Sequence, residues 1–319
     1  MKKKPKIVFM GSPDFAVPTL RALGENGYDI RLVATQPDRK KGRGRKPSPT
    51  PVKAEALKSG WEVIQPASVR SDEFREAIRN ADPDFLVVVA YGAILPPEIL
   101  ALPARGSLNA HASLLPKYRG PAPIQWAVIN GETETGVTIM LMDKGLDTGD
   151  ILLSLKTPIG PDDTSQTLHD RLADISAAGM IRALEEMEKN NLSPTPQDHL
   201  AATCAPLLKK EDGRMDWSKS AKALETFIRG MTPWPGAFAF CNEKRFKIFK
   251  ATPLDIDEDE EMELPGPPGS IFIDLPDKLM VKTGDGALLL LEIQSESGKR
   301  LPVKTFLSGW NAPKGGAFI

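Results

Sequence analysis

At 319 residues, with 41% hydrophobic and 26% charged residues, the chain is long for one domain and comfortable for two, and its mix is that of ordinary globular proteins. No apolar run reaches the roughly 18–20 residues of a membrane span, and the basic start Lys2-Lys3-Lys4 leads into too short an apolar run for a secretory signal. The formal net charge of -1 averages two opposed patches, and Cys204 and Cys241 lie too far apart for a disulfide framework or metal knuckle, which points to a reducing cytoplasm.

In chain order, 6–10 reads as a buried strand, 16–23 as a helix and 30–35 as a second strand. A basic, Gly/Pro-rich loop spans 36–50, and Pro51 sits where a first helical turn tolerates proline, opening a helix over 52–58. A weak strand at 62–65 precedes a helix over 71–78 with Ser71 as its cap. The run 85–90, almost wholly β-branched or apolar, has the mark of a central strand in a parallel sheet. Strands at 106–111, 136–142 and 151–157 and a helix at 123–130 follow. Asp163-Thr164-Ser165-Gln166 resembles a capping box before a long helix with Leu168, Leu172, Ile175, Ile181 and Leu184 as its buried stripe. This alternation predicts an α/β fold with an open, mostly parallel, Rossmann-like sheet.

The polar, proline-bearing stretch 190–206 is expected to be a linker between domains at 1–189 and 207–319. Beyond it, a helix at 220–231 precedes short strands at 237–241, 245–251, 270–274, 279–282 and 287–294, with Gly284-Asp285-Gly286 as a hairpin turn. Five short strands suggest a small β-barrel of the oligonucleotide-binding (OB) type.

The most informative stretch runs from Asn109 to Gly120 and begins where a predicted strand ends, the place where open α/β sheets hold ligands. Asn109 and His111, two residues apart on an extended segment, point the same way. A second feature is the glycine-punctuated loop Asp143-Lys144-Gly145-Leu146-Asp147-Thr148-Gly149-Asp150. An amide donor, an imidazole and a carboxylate suit acyl-type transfer without a covalent enzyme intermediate. Asn109 would donate to the developing oxyanion, an effect worth about 2.7–4 kcal/mol for one well-placed donor. His111 would stabilise the same oxygen or pass protons, with Asp147 orienting the imidazole and favouring its charged form.

On pattern alone a strand-end histidine is more often structural, and Asp before Thr-Gly is common turn chemistry. Ser113 lies outside any Gly-x-Ser-x-Gly elbow, which argues against a serine hydrolase. The turn Gly11-Ser12-Pro13-Asp14-Phe15 is not a Gly-x-Gly-x-x-Gly fingerprint, which weakens a dinucleotide dehydrogenase reading. His111, His169 and His199 lack metal-ligand spacing with the cysteines, so no metal is expected.

The same residues carry a family resemblance. Gly11-Ser12-Pro13-Asp14-Phe15, Gln36-Pro37-Asp38-Arg39, the segment from Asn109 to Gly120 and that from Gly136 to Asp150 resemble the methionyl-tRNA formyltransferase family. The likeness continues through Asp216-Trp217, Pro233-Trp234-Pro235 and Thr283-Gly284-Asp285-Gly286, nearly the whole chain. It implies 10-formyltetrahydrofolate as formyl donor and the methionine amine of initiator methionyl-tRNA as acceptor, in translation initiation. It also implies catalysis by Asn109, His111 and Asp147, and a folate site lined by Ser113, Leu114, Leu115 and Pro116. The first domain would bind folate and catalyse, and the OB-like domain would assist tRNA binding, in the cytoplasm, with no membrane and no obligatory protein partner. Ser12 stands where the family often has Thr, and the acidic run 255–263 is not a family feature.

Arg39, Lys40, Lys41, Arg43, Arg45 and Lys46 form the basic patch. By charge alone this is a solvated surface loop; the resemblance implies that it inserts at the tRNA acceptor stem, with Arg43 as its principal residue and the rest adding salt-dependent attraction. Trp234 would either stack on a base or, as expected here, be buried in packing between the domains. Three rival readings stand beside this one. They are a folate-dependent formyltransferase acting on a nucleotide-linked amino sugar, one acting on a purine precursor, and a non-catalytic RNA-binding protein.

Overall fold

The apolar runs form the middle of a seven-stranded sheet in the computed structural model, which describes residues 3–41, 46–254, 264–273, 277–310, 313 and 315–319. In chain order the first half contains β1 (Lys6–Gly11), α1 (Val17–Glu25), β2 (Asp29–Ala34), β3 (Arg39–Lys41), β4 (Lys46–Ser48), α2 (Pro51–Lys58) and β5 (Val63–Ile64). It continues with α3 (Asp72–Ala81), β6 (Phe85–Val89), α4 (Pro97–Leu100), β7 (Ser107–His111), α5 (Pro123–Ile129), β8 (Glu134–Leu141), β9 (Ile151–Pro158) and α6 (Ser165–Glu188). The sheet order is β5-β2-β1-β6-β7-β8-β9. Its first five strands run parallel, and β8 and β9 are antiparallel.

Alternate strand residues share a face. Val8 and Met10 of β1, Leu32 and Ala34 of β2, and Leu86 and Val88 of β6 accordingly pack with Phe74 and Ile78 of α3. Phe74 and Ile78 are one helical turn apart, so α3 needs only this stripe to seat itself. The Ser71 hydroxyl accepts from the Phe74 amide at 3.3 Å and starts the helix; alanine there would cost about 1 kcal/mol.

From β1 the chain turns to β2 on one side and later returns to β6 on the other. The C-terminal ends of β1 and β6 therefore form a topological switch point, a natural ligand crevice. Gly11 closes this end tightly: a Cβ there would lie 2.8 Å from the Ala16 Cβ and 2.9 Å from the Val89 carbonyl. Next to it the Ser12 hydroxyl donates to the Tyr91 carbonyl at 3.0 Å and accepts from the Gln36 amide at 3.1 Å, tying three strand-end loops together.

The chain divides into two compact units, one of Met1–Pro123, Glu134–Pro158 and His169–Ala205, the other of Ile124–Thr133, Ile159–Leu168 and Pro206–Ile319. In the second unit α7 (Ala221–Met231) precedes β10 (Ala237–Cys241), β11 (Lys244–Leu254), β12 (Ile271–Phe272), β13 (Leu279–Lys282), β14 (Ala287–Ser295), β15 (Leu301–Pro302) and α8 (Val303–Leu307). These strands form an antiparallel OB-like sheet in the order β10-β11-β14-β13-β12, with β15 paired to β14. The expected turn closes β13 onto β14, with the Thr283 hydroxyl donating to the Asp285 and Gly286 carbonyls at 2.6 and 2.8 Å. Phe246 packs edge-on against Phe306, Trp310 and Phe318 in its core.

Three local expectations differ from the structure. The capping box of α6 is shifted by one residue: Thr164 and Thr167 exchange hydroxyl and amide hydrogen bonds, while the Asp163 carboxylate accepts from the Gly160 amide. A threonine pair satisfies both ends of the box, which frees Asp163 to close the turn before it. The basic loop begins and ends as a two-stranded ladder, β3 with β4, where Lys41 opposes Lys46. Most surprising is 190–206, which is no free tether: Thr195 exchanges two main-chain hydrogen bonds with Ile151, and Arg119 pairs with Cys204.

Candidate active site

β7 is hydrogen-bonded on both sides, with Asn109 opposite Val88 on β6 and opposite Met140 on β8. This ladder fixes Asn109 and His111 on one face at the C-terminal end of the strand. Both are buried, at 8% and 7% exposure. Among the described residues nothing hydrogen-bonds the Asn109 carboxamide, a nearly buried donor of the kind that awaits a substrate atom.

His111 has both nitrogens spoken for. Its Nε2 lies 2.9 Å from the Tyr118 carbonyl oxygen, which only accepts, so Nε2 carries a hydrogen and donates. Its Nδ1 faces Asp147 Oδ2 at 3.6 Å, within ion-pair range but longer than a hydrogen bond. Nδ1 thus faces a carboxylate without a hydrogen bond to it.

Asp147 arrives on the loop between β8 and β9 with a left-handed backbone, φ 54°. Its Oδ2 accepts from the Gly120 amide at 2.8 Å. Gly120 itself is at φ 115°, and a Cβ there would sit 2.9 Å from the Ala205 carbonyl oxygen. Within the same loop Asp143 Oδ1 accepts from the Gly145 amide and the Thr148 hydroxyl at 2.9 and 2.6 Å. Two acids of this loop thus divide, with Asp143 stapling the turn and Asp147 facing the histidine.

The segment after β7 folds back on itself. Ser113 is fully buried and its hydroxyl donates to the Lys117 carbonyl at 2.7 Å, so that side chain shapes the loop. Thr138 of β8 accepts from the Leu115 amide and donates to the Ser113 carbonyl at 3.1 and 2.7 Å. Leu115 is buried, and Leu114 and Pro116 are half-buried beside it. Asn109, His111 and Asp147 and the 113–116 segment all belong to the first unit.

The basic residues are placed only in part. Arg39 is exposed, and Lys40, Lys41 and Lys46 lie on the main chain of β3 and β4. Arg43 and Arg45 fall outside the described residues. Trp234, expected to be buried, is 48% exposed in the second unit. The prolines on either side of it leave the indole outside the hydrophobic stripe of α7, which ends at Met231.

Sequence reasoning missed four groups that orient the site: the Tyr118 carbonyl, the Gly120 amide, Thr138 and Gln197. The first two are main-chain atoms with no residue-type signature. Gln197 sits in the proline-bearing stretch read as a linker, yet it is buried and donates to the Asp147 and Gly149 carbonyls at 2.9 and 2.7 Å. Among the described residues no group of three or more His, Cys, Asp or Glu side chains is placed to hold a metal ion. Nor is any helix among them long and apolar enough to cross a membrane.

Residues 5–184 match the family model described as formyl transferase, and 207–311 match that described as formyl transferase, C-terminal domain. The methionyl-tRNA formyltransferase of Caldanaerobacter subterraneus subsp. tengcongensis is 49% identical over 311 residues, 97% of this chain and 98% of that one. Among solved structures, HypX from Aquifex aeolicus in complex with tetrahydrofolic acid aligns with a TM-score of 0.60 at 20% identity, over 96% of this chain and 47% of that one. The chain thus spans about half the length of HypX. The N-formyltransferase from Helicobacter canadensis, in complex with folinic acid and dTDP-3-aminofucose, aligns with a TM-score of 0.65 at 19% identity, over 93% of this chain and 100% of that one. At such identities the two structures show a shared fold and do not choose an acceptor.

Proposed function

This chain belongs to the methionyl-tRNA formyltransferase family, and from that premise we propose that it moves the formyl group of 10-formyltetrahydrofolate onto the α-amino group of methionine on initiator methionyl-tRNA, for translation initiation in the cytoplasm. The formyl donor is a folate. The observation that carries the choice of acceptor is the 49% identity over 97% of the chain. The buried Asn109 and His111, with the half-buried Asp147 facing the imidazole, support the chemistry.

In the transfer the acceptor amine forms a bond to the formyl carbon, and negative charge moves to the formyl oxygen. Asn109 donates an amide hydrogen to that oxygen, worth about 2.7–4 kcal/mol at the transition state. The attacking nitrogen sheds a proton and the leaving folate nitrogen takes one before the old carbon–nitrogen bond breaks, so the proton count is unchanged. His111 carries this proton at Nδ1, and Asp147 holds the charged imidazole. Ser113, Leu114, Leu115 and Pro116 line the folate; Ser113 contributes main chain, since its hydroxyl already serves Lys117.

The basic segment closes on the acceptor stem. Arg43 forks two hydrogen bonds onto phosphate or a base edge, and Arg39, Lys40, Lys41, Arg45 and Lys46 add salt-dependent attraction. The C-terminal unit gives the tRNA additional surface.

Incubating the purified protein with 10-formyltetrahydrofolate and charged initiator tRNA should yield N-formylmethionine. A nucleotide-linked amino sugar offered in its place should stay unmodified. Formylation of the sugar but not the tRNA would overturn the reading. Arg43→Ala should cripple tRNA formylation and spare folate binding, and Lys40→Ala should weaken formylation much less. Equal losses at two salt concentrations would reduce Arg43 to one charge among six.

A further inference from the structure

The stretch from Thr195 to Ala205 is a strap laid across both halves of the candidate site. At one end Thr195 exchanges main-chain hydrogen bonds of 2.8 and 2.9 Å with Ile151, where the Asp147 loop enters β9. At the other, the Arg119 amide donates to the Thr203 carbonyl at 2.8 Å, and the Ala205 amide donates to the Arg119 carbonyl at 2.7 Å. The Thr203 hydroxyl accepts from the Tyr118 amide at 2.8 Å. Between these ends Gln197 turns inward, 6% exposed.

The Gln197 side chain has its full set of partners. Its Nε2 donates to the Asp147 carbonyl at 2.9 Å and to the Gly149 carbonyl at 2.7 Å. Its Oε1 accepts from Arg119 Nε at 3.1 Å and from an Arg119 terminal nitrogen at 2.6 Å. Carbonyls only accept and a guanidinium only donates, so the amide has one possible orientation. A flip would set four like groups against one another.

One amide therefore joins two chain segments that each hold part of the catalytic pair. On one side is the main chain of Asp147, held at a left-handed φ of 54°. On the other is Arg119, flanked by Tyr118, whose carbonyl takes the His111 Nε2 hydrogen, and by Gly120, whose amide holds the Asp147 carboxylate. We infer that Gln197 is a positioning residue for formyl transfer: clamped to Arg119, it sets the distance between the Asp147 carboxylate and the His111 imidazole and acts through Asp147. This rests on the reading that Asp147 serves the reaction.

Gln197→Glu separates positioning from mere fastening. It keeps an acceptor for Arg119 but turns oxygen toward two carbonyls, so the Asp147 arm is repelled while the strap stays tied. Single-turnover and steady-state formylation of methionyl-tRNA would be measured for Gln197→Glu, Asp147→Asn and the double variant, with Tm for each. The expected result is a kcat lowered about 10²-fold, the scale for a catalytic group displaced by about 1 Å. KM for 10-formyltetrahydrofolate should change less than about twofold, since ground-state binding is untouched. In the Asp147→Asn background the same change should cost less than about threefold, because residues that act as a unit are not additive.

The proposal is overturned if the two losses multiply in full, or if activity falls only in step with Tm. If Gln197→Glu does not fold, Arg119→Met removes the other arm and must show the same dependence on Asp147. Normal turnover by Asp147→Asn alone would remove the underlying reading instead, whatever Gln197→Glu does.

Discussion

The site is assembled in two ways. Asn109 and His111 ride on β7, where ladders on both sides fix Asn109 and the β8 ladder fixes His111. Asp147 rides on a loop, at a left-handed φ, and is held by the Gly120 amide and the Gln197 side chain. A residue on a central strand inherits its rigidity from the sheet. A loop residue at positive φ starts with a conformational cost of order 1 kcal/mol and needs dedicated polar groups to stay there. Loss on the strand should therefore act on chemistry, whereas loss around the loop should act on placement.

The largest effects should come from the strand. Asn109→Ala and His111→Ala are each expected to lower kcat by about 10²–10³-fold with folate affinity nearly unchanged, as for charge that develops only in the transition state. A correctly folded Asn109→Ala protein with near-normal turnover, measured with saturating methionyl-tRNA, would break the comparison at its first limb. Next is the loop. In Gly149→Ala the added Cβ would lie 1.7 Å from the Leu141 carbonyl oxygen, so the backbone beside Asp147 must shift. Overpacking of this kind costs about 1–3 kcal/mol, and kcat should fall about tenfold or more. Denaturant unfolding and kinetics on the same sample would show whether both change.

Thr138→Val sharpens the contrast from the other direction. It removes a buried hydroxyl that serves Ser113 and Leu115, for about 1–3 kcal/mol of stability, yet leaves β7 in register. Its melting temperature should fall while kcat changes less than in Gly149→Ala. The smallest effect is expected at Cys204, whose main chain belongs to the strap but whose side chain is exposed. Burial pushes the Cys241 thiol up from its ordinary value. Alkylation near pH 7 should therefore modify Cys204 first and leave turnover within about twofold. A large loss on alkylation would mean that the outer face of the strap matters as well as its hydrogen bonds.

What was legible in the sequence follows the range of the forces involved. Apolar runs marked β1 and β6, a buried stripe marked α6, and Ser71 marked the start of α3, because each signal is local. Asn109 and His111 could be placed together because a two-residue step on a strand fixes their common face. Asp147 was found by resemblance as much as by chemistry, since nothing nearby declares which of three loop acids meets the histidine. Gln197 was illegible. Its partners lie 48 to 78 residues away, and prolines at 194 and 196 give the segment the look of a tether. The pairing of β3 with β4 was hidden for another reason: alternating lysine, arginine and glycine carry no apolar period.

The strap also sets an order of events at synthesis. Asp147 precedes Gln197 by 50 residues. At roughly 5–20 residues per second, a nascent chain carries Asp147 for about 3–10 s before the residue that holds it has been made. During that interval β7 and β8 can already pair, so the sheet matures while its active loop is still searching. Activity should then switch on late in translation of the first unit, as residues up to 205 emerge. A polypeptide stopped at residue 189 would possess Asn109, His111 and Asp147 and remain in that unfinished condition.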